Sequence, residues 1–409
     1  MKRLLILGAG TAGTMVANQL AGKLPGDWSL TVVDPAPEHL YQPDLLFVPF
    51  GMQDPGRIHR PRRPTLRSRI QWVKAGVERV EADRRRVILE DGRRFNYDLL
   101  VIASGSQIRP DETEGLLGEH WHRTIHDFYT AEGATALAGA LEAFDGGRLV
   151  VNVVEMPIKC PVAPLEFLFL ADEYFTRRGM RDAVELVYAT PLDAAFTKPV
   201  AARHLGSLLE AKGIRVESEF NAASVDGDQR RLESYDERRI DYDLLVSVPT
   251  HMGAPFVEAS GLGDELSFIP THANTLLAAD HDHVLVLGDA TNLPSSKAGS
   301  VAHFQSEVVV ENIQRLAAGR SPVEGFDGHS NCFIESGFGK ALLIDFNYDV
   351  EPLPGEFPLP FVGPMSLLKE TRRNHWGKLG FRWAYWNLLL PGRPMPVPNR
   401  MSMLGKRAA

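Results

Sequence analysis

The chain has 409 residues, 44% of them hydrophobic and 23% charged, which is enough for two or three domains with sizeable cores. A net charge of −8 argues against a general nucleic-acid binder, and two cysteines exclude both a disulfide framework and a zinc site made of thiols alone. The N-terminal apolar run is only a strand long and no run reaches about 20 apolar residues, so we expect no signal peptide, no transmembrane helix and a cytoplasmic chain.

The first predicted elements are a buried strand, a glycine-rich turn and a helix. The turn has the GxGxxG pattern and consists of Gly8, Ala9, Gly10, Thr11, Ala12 and Gly13. In this pattern the first glycine permits a tight turn, the second lets backbone approach a pyrophosphate, and the third lets the helix pack on the strand. A second strand ends at Asp34, where a carboxylate accepts ribose hydroxyls. The sequence therefore predicts a dinucleotide site.

Two later strand ends indicate which dinucleotide binds. One strand breaks into the small-residue turn Ala103-Ser104-Gly105, and another ends in Gly288-Asp289. In this order the motifs resemble those of the two-dinucleotide-binding-domain flavoproteins, although this chain has ASG where the family has ATG. The resemblance covers essentially the whole chain. It implies that FAD binds to the first fold, with Asp289 on the ribityl chain.

The same resemblance assigns further residues to the flavin. Gln42 and Pro43 fall in the segment that runs past the isoalloxazine, and Val77 falls where backbone holds the adenine. Lys297 and Gly299 precede a predicted helix, VAHFQSEVVVENI. The positive end of that helix would point at the pyrimidine edge of the flavin and favour its anionic reduced form.

A second nucleotide loop is missing. The strand RLVVNVV begins near the midpoint of the chain, but no glycine lies between Gly147 and Gly179. Side chains and prolines cannot cradle a pyrophosphate as bare backbone does, so we do not expect NAD(P)H to bind. The strands VELVYAT and DYDLLVSVPT still indicate a second Rossmann-like sheet.

Cys160 stands where that loop would be, just before a predicted helix, and Cys332 follows the last flavin motif. This pattern is similar to the sulfide:quinone oxidoreductases and to the flavoprotein of flavocytochrome c sulfide dehydrogenase. The resemblance implies that both cysteines lie on one flavin face as a redox pair and that Glu166 is an acid/base. Bacterial members often carry a third cysteine, sometimes joined to the flavin. This chain has none, so its FAD is expected to be non-covalent.

These groups suit sulfur chemistry. Hydrosulfide attacks a disulfide and leaves a persulfide on one cysteine and a thiolate on the other. The start of the helix after Cys160, with Lys159 or Lys340, is expected to keep the thiolate deprotonated. The electrons would then pass to ubiquinone or menaquinone, and Phe333 and Phe338 are candidates for the quinone channel.

The last segment is basic. From residue 361 to the end, nine Lys/Arg and one acid give a charge of +8, so the rest of the chain carries −16. Five large apolar residues recur there at helical spacing: Trp376, Leu379, Trp383, Trp386 and Leu390. Lys378 and Arg382 point elsewhere. An amphipathic helix with these residues is typical of an interfacial membrane anchor, and the alternative is a helix packed on the body or on a second subunit.

The predicted fold class is α/β, with two Rossmann-like dinucleotide-binding domains and a C-terminal amphipathic membrane-associating segment. The expected boundaries are 1–110 with 280–325 for FAD, 111–279 for the second domain, and 326–409 for the C-terminal region. The predicted function is FAD-dependent oxidation of sulfide by a quinone on the cytoplasmic side of a membrane, with no metal. A homo-oligomer is one form that the sequence leaves open.

Three alternatives stay open at this point. The first is a sulfide dehydrogenase flavoprotein that passes electrons to a cytochrome. The second is a type II NADH:quinone reductase-like enzyme, which the missing glycine loop disfavours. The third is a non-catalytic, FAD-bearing subunit of a sulfur-oxidising assembly.

Overall fold

The computed structural model of the protein describes residues 1–358, 363–395 and 397–407. The rest of the predicted C-terminal region, residues 359–362, 396 and 408–409, lies outside the described residues. Two parallel sheets organise the fold. Their strands read as continuous apolar runs because both faces of each sheet are covered.

The first sheet is built from the N-terminal strands and one late strand pair. Its order is Leu277–Ala278, His281–Val286, Leu99–Ile102, Lys2–Leu7, Trp28–Val33 and Gln71–Val73. The pairings are parallel except that of the short edge strand Leu277–Ala278. The glycine turn, Asp34, the Ala103 turn and Gly288 all follow strands of this sheet. They therefore meet at its carboxyl edge, where ligands bind in doubly wound folds.

The second sheet is parallel throughout. Its order is Ile125–His126, Leu244–Val248, Gly147–Val153, Val184–Ala189 and Arg215–Glu217. Both sequence segments predicted to belong to a second Rossmann-like sheet are in it. We propose 1–110 with 280–325, and 111–279, as domain boundaries. The edge strand Leu277–Ala278 departs from them, because it belongs to the first sheet but falls within 111–279.

Eight α-helices lie within the described ranges. They are α1 (Thr11–Leu20), α2 (Arg62–Thr65), α3 (Ala131–Ala143), α4 (Ala163–Arg177), α5 (Pro199–Ala211), α6 (Pro255–Ala259), α7 (Gly299–Ala317) and α8 (Arg372–Ala384). A π-helical turn, Tyr385–Leu389, continues α8. Short 3-10 helices span Gln42–Leu46, Val48–Phe50, Pro55–Arg57, Ala82–Arg84, Pro110–Glu112, Arg181–Ala183 and Gly288–Ala290.

Small antiparallel sheets complete the described fold. Two have three strands: Val77–Glu81 with Arg86–Leu89 and Arg94–Asn96, and Ala222–Asp226 with Arg231–Ser234 and Arg239–Asp241. Four have two strands: Glu38–Leu40 with His59–Pro61, Ser106–Ile108 with His251–Gly253, Ser330–Gly337 with Lys340–Phe346, and Gly355–Phe357 with Met365–Leu367.

The hairpin of Ser330–Gly337 and Lys340–Phe346 is not a separate unit. Its residues Cys332, Ile334 and Leu342 share one apolar core with α4 and the second sheet. The hairpin therefore carries Cys332 into the body of the protein.

A buried ion pair fastens the end of the chain to this hairpin. Lys406 Nζ lies 2.5 Å from Asp345 Oδ2, and both side chains are 1% exposed. His329 Nε2 lies 2.8 Å from Asp345 Oδ1. These contacts hold the pKa of Asp345 below its usual value despite its burial, so the carboxylate stays charged.

Replacing Lys406 should destabilise the protein because it leaves a buried carboxylate short of a partner. We expect Lys406→Met to cost about 3 kcal/mol of unfolding free energy in denaturant titrations. The exposed Lys369→Met is the control and should change stability by less than about 0.5 kcal/mol. Equal stability of the two variants would contradict the pairing.

Candidate flavin and thiol site

A large cavity lies against the carboxyl edge of the first sheet. Of the predicted residues, eighteen line it: Gly8, Gly10, Thr11, Ala12, Asp34, Gln42, Pro43, Ala103, Ser104, Gly105, Cys160, Glu166, Gly288, Asp289, Lys297, Gly299, Cys332 and Phe333. The cavity thus collects segments that are hundreds of residues apart in sequence. One wall comes from α8, which contributes Lys378, Leu379, Phe381 and Arg382, with Tyr385 just beyond it.

The glycine turn has the geometry of a dinucleotide cradle. Gly8 has a φ of +95°, and a Cβ on Gly13 would lie 1.9 Å from Gly8 O. Gly13 therefore packs α1 on its strand rather than lining the cavity. A Cβ on Gly10 would meet no atom within 4 Å, so this position is open to a ligand. Ala9 N donates to Asp34 Oδ2 at 2.7 Å, which fixes the carboxylate beside the turn.

Polar groups near the Ala103 turn also fit a bound dinucleotide. Among the described residues, the buried hydroxyls of Ser104 and Ser106 have no hydrogen-bond partner, and both residues line the cavity. Orphaned buried hydroxyls call for a ligand or water. The residues present therefore fit FAD, with the glycine turn at the pyrophosphate, Asp34 at the ribose and Asp289 at the ribityl chain.

Lys297 lies between the flavin segment and the thiol segment. Its Nζ donates to Asp289 O at 2.9 Å and Thr291 O at 2.7 Å, and burial lowers its pKa to about 8. Its carbonyl accepts from Cys160 N at 2.8 Å. This bond joins the rebuilt loop of the second fold to the segment that precedes α7.

The two cysteines reach the cavity on different elements. Cys160 has a φ of +47° in the turn before α4, and Cys332 lies on the strand Ser330–Gly337 opposite Ile344. Both are free thiols, with Cys160 half-buried and Cys332 buried. A non-glycine residue in the left-handed region is uncommon and requires support from its surroundings. The hydrogen bond to Lys297 O supplies part of that support.

The expected stabilisation of a thiolate by Lys159 or Lys340 was wrong. Burial, followed by the nearby Glu166 carboxylate, raises the pKa of Cys332 to about 12, and the pKa of Cys160 is raised for the same reasons. The cation that opposes these effects is Lys378 of α8.

Lys378 belongs to a buried cluster of charged residues. Its Nζ pairs with Glu166 Oε1, and Glu335 N donates to the same oxygen at 2.6 Å. His375 Nδ1 lies 2.9 Å from both carboxylate oxygens of Glu335. Burial raises the pKa of Glu166 and of Glu335, while the two carboxylates raise the pKa of Lys378 against the effect of burial.

The face of α8 that turns inward was not predicted. Lys378, Arg382 and Tyr385 form a stripe at i, i+4 and i+7. Arg382 Nε pairs with Asp44 Oδ2 at 3.0 Å, and Tyr385 Oη bonds Thr11 Oγ1 at 2.8 Å. The stripe therefore links the C-terminal helix to the glycine turn of the dinucleotide cradle.

The predicted apolar face divides into two parts. Trp376 is 67% exposed, Trp383 63% and Leu379 44%. Trp386 and Leu390 are instead buried, because the π-helical turn packs them beside Tyr41 and Tyr385. They are not part of an interfacial surface, so only Trp376, Leu379 and Trp383 remain of the membrane anchor that the sequence predicts.

Besides Gly13, three of the predicted site residues do not line the cavity. Val77 pairs with Leu89 in a small sheet, and Lys340 is an exposed residue at the start of a strand. Phe338 is 43% exposed, and its ring lies 4.9 Å from Lys212 Nζ. The tip of the hairpin carries Phe338 and Lys340 away from Cys332, so neither contacts the cavity.

Several functional candidates were missed by sequence reasoning. They are Tyr41, Asp44, Arg62, Tyr129, Glu335, His375 and the inward role of Lys378. For Lys378 a signal was present, since the polar stripe with Arg382 and Tyr385 has helical spacing. For Glu335 the signal was weaker. This residue lies three positions after Cys332, and its partner His375 is 40 residues away in sequence.

The described part of the chain lacks a metal-binding cluster and a membrane-spanning helix. It contains no group of three His, Cys, Asp or Glu side chains that could hold a metal ion. No helix within the described ranges is both long and apolar enough to cross a bilayer.

Fold and site together define a flavoprotein with two Rossmann-like dinucleotide-binding folds. The model of the family described as pyridine nucleotide-disulphide oxidoreductase matches residues 2–151. Mitochondrial sulfide:quinone oxidoreductases match over nearly the whole chain. The Mus musculus protein is 24% identical, covering 95% of this chain and 86% of its own length. For the Dictyostelium discoideum protein the identity is 26%, with 96% and 86% covered.

A solved structure extends the likeness to the fold. The sulfide:quinone oxidoreductase of Aquifex aeolicus superposes with a TM-score of 0.80 at 18% identity, covering 96% of this chain and 92% of that one. Over nearly its whole length the chain is thus similar to sulfide:quinone oxidoreductases.

Two glycines of the cradle should respond differently to alanine. In Gly13→Ala the new Cβ meets Gly8 O, so we expect the apoprotein to lose at least about 2 kcal/mol of unfolding free energy. In Gly10→Ala the Cβ enters open space, so the apoprotein should lose less than about 1 kcal/mol while FAD binds more weakly. Thermal melts and FAD titration of both apoproteins measure this. Unchanged FAD affinity in Gly10→Ala would contradict the cradle.

Proposed function

We propose that the protein oxidises hydrosulfide, or a related small sulfur species, through Cys160 and Cys332 and passes the electrons by way of non-covalent FAD to a membrane quinone. The observation that carries this proposal is that two free thiols from distant elements line the same cavity as the dinucleotide cradle. The homologous sulfide:quinone oxidoreductases support the choice of substrates.

When bound, FAD supplies an acceptor and donor of two electrons. The residues of the chain supply the rest. Hydrosulfide attacks a disulfide between Cys160 and Cys332, which leaves a persulfide and a thiolate. Because burial raises the pKa of both thiols, the ammonium of Lys378 is the group that favours the thiolate. Glu166, which contacts Lys378, serves as acid/base beside the sulfur atoms.

The quinone end of the cavity is proposed at α8. Phe333, Leu379 and Phe381 line this part, and Leu379 is 44% exposed. The exposed Trp376 and Trp383 lie on the outer side of the same helix. An interfacial helix with Trp outward and an apolar opening beside it would admit a lipid-soluble acceptor. We propose peripheral attachment to the membrane at this surface, which we call the Trp face (Trp376, Leu379 and Trp383).

The alternative functions differ in their electron donor and electron acceptor. An NADH-dependent reaction is disfavoured because the loop after Gly147–Val153 carries Cys160 in a left-handed conformation and has no glycine. A cytochrome acceptor would need a docking surface, whereas the Trp face is apolar. A non-catalytic subunit would bind FAD without responding to sulfide.

Sulfide should bleach the flavin and NADH should not. We expect anaerobic sulfide to remove the flavin absorbance near about 450 nm, and a quinone analogue to restore it. Cys332→Ser should retain FAD yet lose this bleaching, because the remaining thiol has no partner for exchange. Bleaching by NADH alone, or unchanged turnover of Cys332→Ser, would overturn the proposal.

Membrane attachment should depend on the Trp face. Trp376→Ser with Trp383→Ser should weaken binding to anionic liposomes at least about tenfold in flotation assays, because two large apolar side chains no longer enter the interface. Tyr235 is 80% exposed elsewhere, so Tyr235→Ser is a matched control and should bind as the parent protein does. Equal flotation of all three proteins would rule out this surface as the attachment site.

A further inference from the structure

His375 and Glu335 form a pair that the sulfur chemistry leaves without a role. Glu335 is 1% exposed, and its two carboxylate oxygens both lie 2.9 Å from His375 Nδ1. The His375 side chain is 14% exposed and does not line the cavity, whereas Lys378, which is 13% exposed, does line it. The imidazole is therefore where the cluster meets solvent outside the cavity. A buried carboxylate held by a partly exposed imidazole has the form of a proton entry site.

The pair continues inward to the cavity. His375 and Lys378 are three residues apart and so share one face of α8. Lys378 pairs with Glu166, and the backbone N–H of Glu335 donates to the same Glu166 oxygen at 2.6 Å. Lys378 and Glu166 both line the cavity, whereas Glu335 and His375 do not. The cluster therefore reaches from the partly exposed imidazole to the cavity wall. Within it, the Glu335 backbone bonds Glu166, and the Glu335 carboxylate interacts electrostatically with Lys378 and Glu166.

The charges of this cluster leave room for one extra proton. With both carboxylates ionised, Lys378 charged and His375 neutral, the cluster carries one net negative charge inside the protein. Burial of net charge is costly, so the cluster gains by binding a proton on the imidazole or on a carboxyl group. In agreement, burial raises the pKa of both Glu166 and Glu335.

Other ionisable groups that face the cluster do not offset its net negative charge. Those with a resolved influence are Asp44, which pairs with Arg382, the thiols Cys160 and Cys332, and Tyr129, whose pKa burial raises. Arg382 and Asp44 neutralise one another. The thiols carry no charge in their protonated form, and burial favours that form by raising the pKa of each.

We propose that His375 and Glu335 are a proton relay that reprotonates the Lys378–Glu166 pair from solvent. One proton passes for each quinone that is reduced. This inference rests on the proposed function. His375 takes up the proton at the surface, Glu335 accepts it, and Lys378 with Glu166 holds it at the cavity wall. His375 and Glu335 do not line the cavity, so they act by supplying protons to the Lys378–Glu166 pair, which does.

The overall reaction requires such a supply. Converting hydrosulfide and the cysteine disulfide into a trisulfide releases two electrons and one proton. Reducing a quinone to the quinol takes up two electrons and two protons. The proton released by sulfide covers one of these two, and a second proton must enter from solvent in every turnover.

Two variants test the relay, Glu335→Gln and His375→Ala. In FAD-loaded protein, bleaching by sulfide should stay within about twofold of the parent, while quinone-dependent recovery should slow about tenfold to a hundredfold. The slowing should grow as pH rises, since fewer protons are then available to refill the pair. Added imidazole should restore recovery in His375→Ala, where it can enter from solvent, and not in Glu335→Gln. His204 is exposed, so His204→Ala serves as control and should behave as the parent.

An infrared titration of the resting, oxidised protein gives a readout without turnover. His375 lowers the pKa of Glu335, so in His375→Ala the absorption of protonated carboxyl should persist to higher pH, and in Glu335→Gln part of it should vanish. Parent-like recovery in both variants at every pH, or an unchanged carboxyl titration in His375→Ala, would overturn the relay. A parent protein that sulfide fails to bleach would instead refute the proposed function, and the infrared titration would still decide on the pair.

Discussion

The buried pair between Lys378 and Glu166 is the contact on which the remaining architecture depends. It joins the C-terminal helix α8 to α4, the helix that begins just after Cys160. A charge of either sign alone in this core would be costly, so removing one member leaves the other uncompensated. The pair also lies beside both thiols, where the ammonium opposes the rise of their pKa that burial causes. One interaction thus lines the cavity and acts on the pKa of both thiols, which Glu166 raises and Lys378 lowers.

The two faces of α8 connect the Trp face, which we propose as the membrane attachment surface, to the dinucleotide cradle. The inward stripe of Lys378, Arg382 and Tyr385 contacts the acid at Glu166, the acid at Asp44 and the glycine turn. The outward Trp face contains Trp376 and Trp383. The helix is itself a wall of the cavity, and Lys378 and Leu379 both line it, so the quinone entry that we propose beside the Trp face lies next to the Lys378–Glu166 pair.

Local patterns predicted most of the fold, and long-range contacts limited the rest. The glycine turn, Asp34 and the Asp289 strand end are motifs whose chemistry is contained within a few residues, and all of them line the cavity. The predicted helices after Cys160 and Gly299 are α4 and α7. Periodicity could not tell which face of α8 turns inward, since the partners of its polar stripe lie hundreds of residues away. The same limit hid the pairing of Glu335 with His375. It also led to the wrong assignment of Lys340, which a tight hairpin carries out to solvent.

We propose that Cys160 and Cys332 react with one another within a single cavity, and peptide mapping under non-reducing conditions measures this reaction. The purified protein is treated with a mild thiol oxidant, digested and analysed by mass spectrometry. We expect a cross-linked peptide that joins the Cys160 segment to the Cys332 segment, with one or more bridging sulfur atoms after exposure to sulfide. Recovery of the two cysteines on separate peptides, each capped independently by added glutathione, would contradict it.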